Sequence, residues 1–483
     1  MSLAPVIEKV LGNDLPVAVD AYDGTHIGNP DADTHLVIRS RDALRRIVTS
    51  PGELGMARAY VAGELDVEGS IWDLLSLRDR IPDVKLEPAV FGDIVRELGG
   101  VRQVRLLPPP PEEVVLHGRR HSKARDAKAI SHHYDVSNAF YRLVLGPSMT
   151  YSCAVFHDPS ESLEQAQANK YELICRKLGL QPGMRLLDVG CGWGGMVLHA
   201  ATHHGVEAVG VTISKRQAEL AEKRVAEAGL SGRVSIRLQD YRDVADGPFD
   251  AVSSIGMFEH VGEDRLGDYF GHLRTLVGER GRLLNHGIGR PYGQGARLPR
   301  RSFVNRYVFP DGELHEVGKV VSHIQAAGFE VRHVEGLREH YAHTLRHWVD
   351  NLEANWDAAV AEVGEGRARV WRLYMAGSAI GFADAGLSGE YFANPDLAGA
   401  IRGTLPGTTP GETARQLADP HRLGPVHCVD DAAGDSGPRP AELLLVAQAG
   451  CTFGMVMRGA VCSCLLPVLC NWLFFVCLLP GAS

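Results

Sequence analysis

Asp188, Gly190, Gly192 and Gly194 stand at alternating positions in RLLDVGCGWGG, straight after an apolar run. In a strand–loop–helix unit, glycines so placed let the backbone turn sharply and approach a ligand where a β-carbon would collide. The alternating spacing from Asp188 to Gly194 differs from G-x-G-x-x-G and is read as disfavouring a dinucleotide pyrophosphate, although Gly190, Gly192 and Gly195 also fit the latter. A tight turn before a helix is the plainer use of the same residues. A second pair, Glu259 and His260, follows the apolar stretch FDAVSSIG. That is the carboxyl end of an expected strand, where open α/β sheets bind ligands. His260 is also suited to a purely structural role.

Such residues need a scaffold that brings loops to one edge. From about Ser131 the chain alternates apolar runs with amphipathic stretches. MRLLDVG, VEAVGVTI, VSIRLQD, FDAVSSIG and RLLNHGIG read as strands buried on both faces, separated by helical patterns such as SKRQAELAEKRVAEAG and LGDYFGHLRTLV. This order predicts an α/β fold with a parallel sheet and helices on both sides. Upstream, HLVIRS reads as a strand and DALRRIV and GMARAYVAGEL as helices, enough for a small N-terminal α+β domain over 1–107. Four consecutive prolines from Pro108 to Pro111 and a basic stretch without an apolar face mark a linker over 108–130. The sheet domain is expected over 131–388, and an atypical tail over 389–483.

At 483 residues the chain is too long for one typical domain, and its formal charge of -9 argues against a surface built throughout for nucleic acid. The first residues, MSLAPVIEKVLGNDLP, do not resemble a secretory signal, so a cytoplasmic body is expected. Only Cys153, Cys175 and Cys191 precede residue 400, without metal-type spacing, and no metal is expected. Six further cysteines lie between Cys428 and Cys477. The uncharged run from Val461 to Leu479 is long enough to span a bilayer core of about 30 Å. It reads as a C-terminal membrane anchor, a buried or mobile tail, or, in slight preference because the composition shifts abruptly, an altered reading frame.

The glycine loop resembles the D-x-G-x-G-x-G motif of class I S-adenosylmethionine (SAM) methyltransferases, whose Rossmann-like, mostly parallel sheet has seven strands. Where many of them end the second strand in an acid, VGVTISKRQ has Thr212 and Ser214. SHHYDVSNAFYRLVLGPSMTYSCAVF, LEQAQANKYELICRKLGLQPG, GVTISKRQ, LQDYRD, FEHVG, NHGIG, RYVFPDGEL and HYAHTLRHW are similar, in order, to blocks of the cyclopropane fatty acid synthase and mycolic acid cyclopropane synthase family. The resemblance covers about residues 130 to 385. It implies cofactor contacts at Tyr151, Ser152, Gly190, Gly192, Thr212, Gln217, Gln239, Asp240 and Tyr241. It also implies a bound bicarbonate as general base, held by Cys153, Glu259, His286, the Ile288 amide and Tyr341.

That set is chemically sensible. An isolated alkene is a poor nucleophile, so only a strongly electrophilic methyl, such as one on a sulfonium, transfers to it. The resulting carbocation must be kept from water and lose a proton. Donors at His286, Tyr341 and Ile288 and an acceptor at Glu259 can orient an anion that takes it. Tyr134, Phe140, Tyr141, Phe258 and Tyr307 are candidates for the lipid path, where ring faces can steady a cation, with ordinary core packing the stronger expectation for each of them. Residues 297–306 carry four arginines and no acid, suited to an anionic phospholipid surface at the inner membrane face or to a solvated loop. The expected partners are unsaturated phospholipid acyl chains and no nucleic acid, with a homodimer left open. The expected product is a cyclopropane ring, with a methylene or methyl branch as alternative. A catalytically disabled SAM- or lipid-binding protein and a methyltransferase for oxygen or nitrogen nucleophiles are the rivals.

Overall fold

The computed structural model describes residues 3–11, 15, 17–50, 52–76, 88–114, 136–291, 293, 296–384 and 442–449. At the N-terminal end, β1 (Ala18–Ala21), β2 (His26–Ile27), β3 (His35–Ile38) and β4 (Leu65–Glu68) form a sheet in the order β2-β1-β3-β4. Helices α1 (Arg41–Thr49) and α2 (Glu53–Val61) connect β3 to β4, close to the elements expected there. Ser40 caps α1, accepting the Asp42 N–H on its side chain and so satisfying a donor the helix leaves unpaired.

The larger sheet is built from β5 (Arg185–Val189), β6 (Glu207–Thr212), β7 (Val234–Leu238), β8 (Phe249–Ile255), β9 (Val277–Arg290), β10 (His315–Glu316) and β11 (Glu330–Glu335), completed by β12 (Glu442–Ala449). Each strand foreseen in the sequence lies within a few residues of its apolar run. The strand order is β11-β12-β9-β8-β5-β6-β7, with β10 paired to β9, and the strand pairs are parallel. Strand β12 thus lies between β9 and β11. The remainder of the Gly/Pro-rich and apolar tail, including 461–479, lies outside the described residues. Among those described, no helix is long and apolar enough to cross a membrane.

Four helices pack against the central strands: α3 (Leu163–Leu178), α4 (Gly195–His204), α5 (Lys215–Glu227) and α6 (Leu266–Leu276). Ser162 and Ser214 cap α3 and α5 through the N–H groups of Gln165 and Gln217, and Gly179 ends α3 in the left-handed region. Beyond β11, α7 (Arg338–Ala354) and α8 (Glu365–Asp384) pack together and carry Trp348, Trp371 and Tyr374 into the core.

The proline segment is no free spacer where it is described. The Pro108 carbonyl accepts from Arg46, Glu113 pairs with Arg58 at 2.7 Å, and the Val114 N–H donates to the Arg306 carbonyl at 2.8 Å. Arg369 of α8 meanwhile reaches Asp66 of β4 at 2.8 Å. Fixed proline geometry at this point presents acceptors to both domains rather than separating them.

Candidate active site

Strand order reverses beside β5: the chain leaves it toward β6 and β7, then returns on the other side as β8 and β9. Open α/β sheets bind ligands at such a switch point, outside the carboxyl ends of the strands. A cavity of about 320 Å³ lies there. Tyr151, Ser152, Gly190, Gly192, Thr212, Gln217, Gln239, Asp240 and Tyr241, every residue expected to touch the cofactor, line it.

The glycines are required for a reason other than ligand approach alone. Gly190 has φ +79°, and a β-carbon on it would sit 2.5 Å from Met257 Cγ. Gly192, at φ +54°, faces open space, and Gly194 at φ +79° packs on Ala221 of α5. Backbone sign and packing on the next elements thus demand glycine even with no ligand present. Asp188 lies opposite Ser253 in the β5–β8 register and accepts its hydroxyl at 2.7 Å. Burial raises its carboxyl to about 6, against the opposing effects of Ser253 and Lys170.

Several cofactor-side residues are already engaged with one another. Thr212 donates its hydroxyl to Gln217 Oε1 at 2.8 Å, so the strand end without an acid carries a closed hydroxyl–amide pair. Asp240 binds Arg242 at 2.6 Å, and the Gln239 amide donates to the Asp243 carbonyl. Tyr241 is held edge-on to Tyr269.

A second cavity of about 120 Å³ adjoins the first, sharing Tyr151, Ser152, Gly256 and His260 with it. Cys153, Glu259, His286, Ile288 and Tyr341 all line it. They come from four places: the segment before α3, the turn after β8, the end of β9 and α7. Parallel register makes the meeting possible, because Ile255 of β8 lies opposite His286 of β9 and the turn after β8 therefore falls beside NHGIG. Gly287 has no room for a side chain, since its β-carbon would meet Phe258 at 2.1 Å and Glu259 Oε1 at 2.8 Å.

The Ile288 amide, an expected donor, and the Cys153 thiol have other partners. The Ile288 N–H donates to Glu259 Oε1 at 2.8 Å, whereas the resemblance implies that it faces the anion directly. The Cys153 thiol donates to the Ala154 carbonyl at 3.1 Å. Glu259 Oε2, in contrast, is buried with no hydrogen-bond partner. Burial pushes the Glu259 carboxyl up to about 7, and it drops the His260 imidazole to about 4, leaving that ring neutral.

Core packing, the stronger expectation for the aromatic candidates, is what the described ones show. Phe140, Tyr141, Phe258 and Tyr307 are buried in the core and line neither cavity, and Tyr134 lies outside the described residues. Tyr307 points its hydroxyl at Glu113 instead, at 3.3 Å. The rings on the second cavity are Tyr151, Phe309, Tyr341, Tyr374 and Phe382, with Tyr341 and Phe382 centroids 4.6 Å apart. Tyr374 and Phe382 fall on α8, whose periodicity alone marks a packed helix and not a cavity wall.

Lys170 has no place among the expected site residues. It is 1% exposed, lines the first cavity, donates to Ser152 Oγ at 2.9 Å and stands 4.0 Å from the Tyr171 ring centroid. Burial lowers its ammonium to about 7. In sequence it is one more charge on an amphipathic helix, with no local signal of burial. The basic stretch is likewise less free than its composition suggests. Arg297 pairs with Glu313 at 3.2 Å while staying exposed, and Arg306 approaches Glu113 at 3.8 Å, so that Arg300 and Arg301 are the exposed arginines of the stretch outside an ion pair.

A glycine loop after the first strand of a parallel sheet, with a cavity over the switch point, defines a class I SAM-dependent methyltransferase. Comparison narrows this. The mycolic acid cyclopropane synthetase family matches residues 121–388, and the chain belongs to that family. A probable fatty acid methyltransferase, Rv3720, of Mycobacterium tuberculosis is 48% identical over 394 residues, covering 79% of this chain and 92% of its own length. The cyclopropane-fatty-acyl-phospholipid synthase of Escherichia coli is 32% identical over 352 residues, covering 72% and 84%. Among solved structures, the mycolic acid cyclopropane synthase CmaA1 with SAH and CTAB is 36% identical, covers 53% of this chain and 93% of its own, and superposes with a TM-score of 0.50.

Proposed function

We propose that this methyltransferase acts on the double bond of unsaturated phospholipid acyl chains and closes a cyclopropane ring. The observation that carries the reading is the second cavity: a carboxylate, an imidazole, a phenol and a thiol converge beside the cofactor cavity, and Glu259 Oε2 is buried there without a partner. A transferase for an oxygen or nitrogen nucleophile needs no such anion pocket.

SAM, when bound, supplies the electrophilic methyl. Transfer of that methyl from sulfur to one alkene carbon would leave the positive charge on the other, and loss of a proton from the new methyl to the bound base would close the ring. Within the chain, Tyr151, Tyr341, Tyr374, Phe309 and Phe382 wall the cavity against water and present rings to a cation. The buried acceptor at Glu259, with His286 and Tyr341 as donors, fits a bicarbonate, which would supply the base for that proton. Glu259 would accept its OH through Oε2, and the Ile288 amide would fix Glu259 in place. Cys153 would close the wall. Arg300 and Arg301 suit the chain to the anionic face of a membrane.

The second reading, a methylene- or methyl-branched product, is favoured by the 48% identity to a probable fatty acid methyltransferase against 32% to the cyclopropane synthase. Ring and methylene branch differ only in where the cation loses its proton, whereas a methyl branch needs a further two-electron reduction of the methylene by a hydride donor. Incubation with labelled SAM and oleoyl phospholipid, followed by mass analysis of the acyl chains, tests both. Ring and methylene branch have equal mass, so ozonolysis separates them: the branch is cleaved and the ring survives. No label in lipid refutes both readings, and SAM binding without turnover would leave a binding protein.

A further inference from the structure

Away from both cavities, α3 and α4 bring together a group of side chains that the methyl transfer does not use. Cys175 of α3 and His199 and His204 of α4 each place a ligand-type atom within 4.8 Å of the others. Glu172, one turn before Cys175, reaches His204 Nε2 at 2.9 Å and His199 Nε2 at 3.5 Å through the same oxygen. His199 Nε2 is buried without a hydrogen-bond partner, and Cys175 is a free, buried thiol. No two cysteines before residue 400 stand at metal-type spacing in the sequence, which is why only the folded chain reveals the group.

We propose that Cys175, His199, His204 and Glu172 form a structural zinc site. A thiolate, two imidazoles and a carboxylate are the donors that Zn²⁺ takes in tetrahedral geometry, at about 2.0–2.3 Å each. Such bonds place neighbouring donor atoms about 3.3–3.8 Å apart. The two Glu172–histidine separations are already close to this range, and the Cys175 group needs to draw in by about 1 Å, within reach of side-chain rotation. A sulfur-containing set of this kind selects zinc over magnesium or calcium, which take oxygen donors. Four protein donors leave no open position for substrate, so the site is structural and not catalytic.

Its position gives it a purpose. Tyr171, one turn before Cys175, packs so closely on the first residue of α4 that a β-carbon at Gly195 would fall 2.1 Å from its hydroxyl. Tyr171 and Gly195 both line the cofactor cavity. A metal joining Glu172 and Cys175 to His199 and His204 would fasten the two helices that flank the glycine loop, one to two turns beyond that contact. None of the four ligands lines either cavity.

The test uses the full chain, stripped with a chelator and titrated with Co²⁺, whose thiolate bond gives a near-ultraviolet charge-transfer band. The expected result is one cobalt per chain with that band and tetrahedral visible bands, displaced by one equivalent of Zn²⁺. Cys175→Ser should abolish the charge-transfer band, and His204→Gln should weaken metal affinity about tenfold or more. The His204 side chain is partly exposed, so this variant should keep its fold, which circular dichroism checks. Zn²⁺ should raise the Tm of the parent chain and leave that of His204→Gln little changed, because a ligand stabilises only the state that binds it. Absence of the band at stoichiometric cobalt overturns the proposal. So does a band of unchanged strength in Cys175→Ser, which would place the metal on another cysteine.

Discussion

The backbone N–H of Ile288 donates to Glu259 Oε1 at 2.8 Å, while Oε2 of the same carboxylate is buried with no partner. One oxygen is spent on holding the side chain and the other is left unpaired at a residue that lines the second cavity. A buried acceptor without a partner costs roughly 1–3 kcal/mol. It is retained most readily where something else completes it.

Glu259→Gln keeps the shape of this side chain and removes its charge. Turnover into lipid should fall by about 10²-fold or more, the usual worth of a positioned acid–base group. The dissociation constant for S-adenosylhomocysteine, measured by calorimetry, should change less than about threefold, since the residue lines the second cavity and not the first. An unchanged turnover would instead favour transfer to an oxygen or nitrogen nucleophile.

The same carboxyl should leave a mark on stability. Burial raises it from 4.5 to about 7, so the folded chain keeps a proton that the unfolded chain has already lost. Its contribution is therefore fully present below about pH 4.5 and is lost as pH rises toward 7. Asp188, raised to about 6, and Glu53, raised to about 7, act in the same direction. His199 and His260, held near 4, and Lys170, held near 7, act in the opposite direction, so the test is the difference between two proteins. The stability of the parent chain relative to Glu259→Gln, both ligand-free, should fall between about pH 5 and 8 by up to about 3 kcal/mol. An identical slope in both proteins would mean that Glu259 titrates normally.

Gly190→Ala meets two obstacles, a φ of +79° and Met257 Cγ at 2.5 Å from the new β-carbon. Strain of this sort costs about 1–3 kcal/mol. SAM affinity should fall at least about tenfold, the equivalent of about 1.4 kcal/mol. Met257→Ala in the same chain should return part of the stability and not all of it, since it relieves the collision and leaves the backbone sign. Complete rescue would show that the collision alone demands glycine.

Lys170 holds Ser152 Oγ at 2.9 Å at the wall common to both cavities. Lys170→Met preserves the apolar stem and removes the donor. The KM for SAM should rise about tenfold, with a smaller loss in kcat, because the residue positions the cofactor wall and does not touch the reacting carbons. A fall confined to kcat would place it in the chemistry itself.

Arg300 and Arg301 are exposed residues of the basic stretch. Their joint replacement by alanine should weaken binding to anionic vesicles about tenfold or more at low salt, at about 1 kcal/mol for each charge. The difference should shrink as ionic strength rises. Equal binding by both proteins would leave these arginines as a solvated loop.

Local pattern carried much of this molecule. Buried parallel strands are uniformly apolar, a loop with positive φ requires glycine, and helices begin at serines, so elements and glycine loop can be read one segment at a time. Which residues meet is another kind of fact. Glu259 and His286 lie beside one another because β8 and β9 pair in parallel at one register. Tyr341 joins them only when α7 folds back across that edge.

The sequence by itself determined the class of fold, the position of the glycine loop and the residue types available for chemistry, all of which follow from backbone sterics and hydrophobic period. Tertiary structure alone decided partnership. It sent Phe140, Tyr141 and Tyr307 into the core, buried Lys170 under the cofactor cavity, gave the Ile288 amide to Glu259, and joined Cys175 to His199 and His204. Each of these depends on contacts between residues far apart along the chain, which no local spacing encodes.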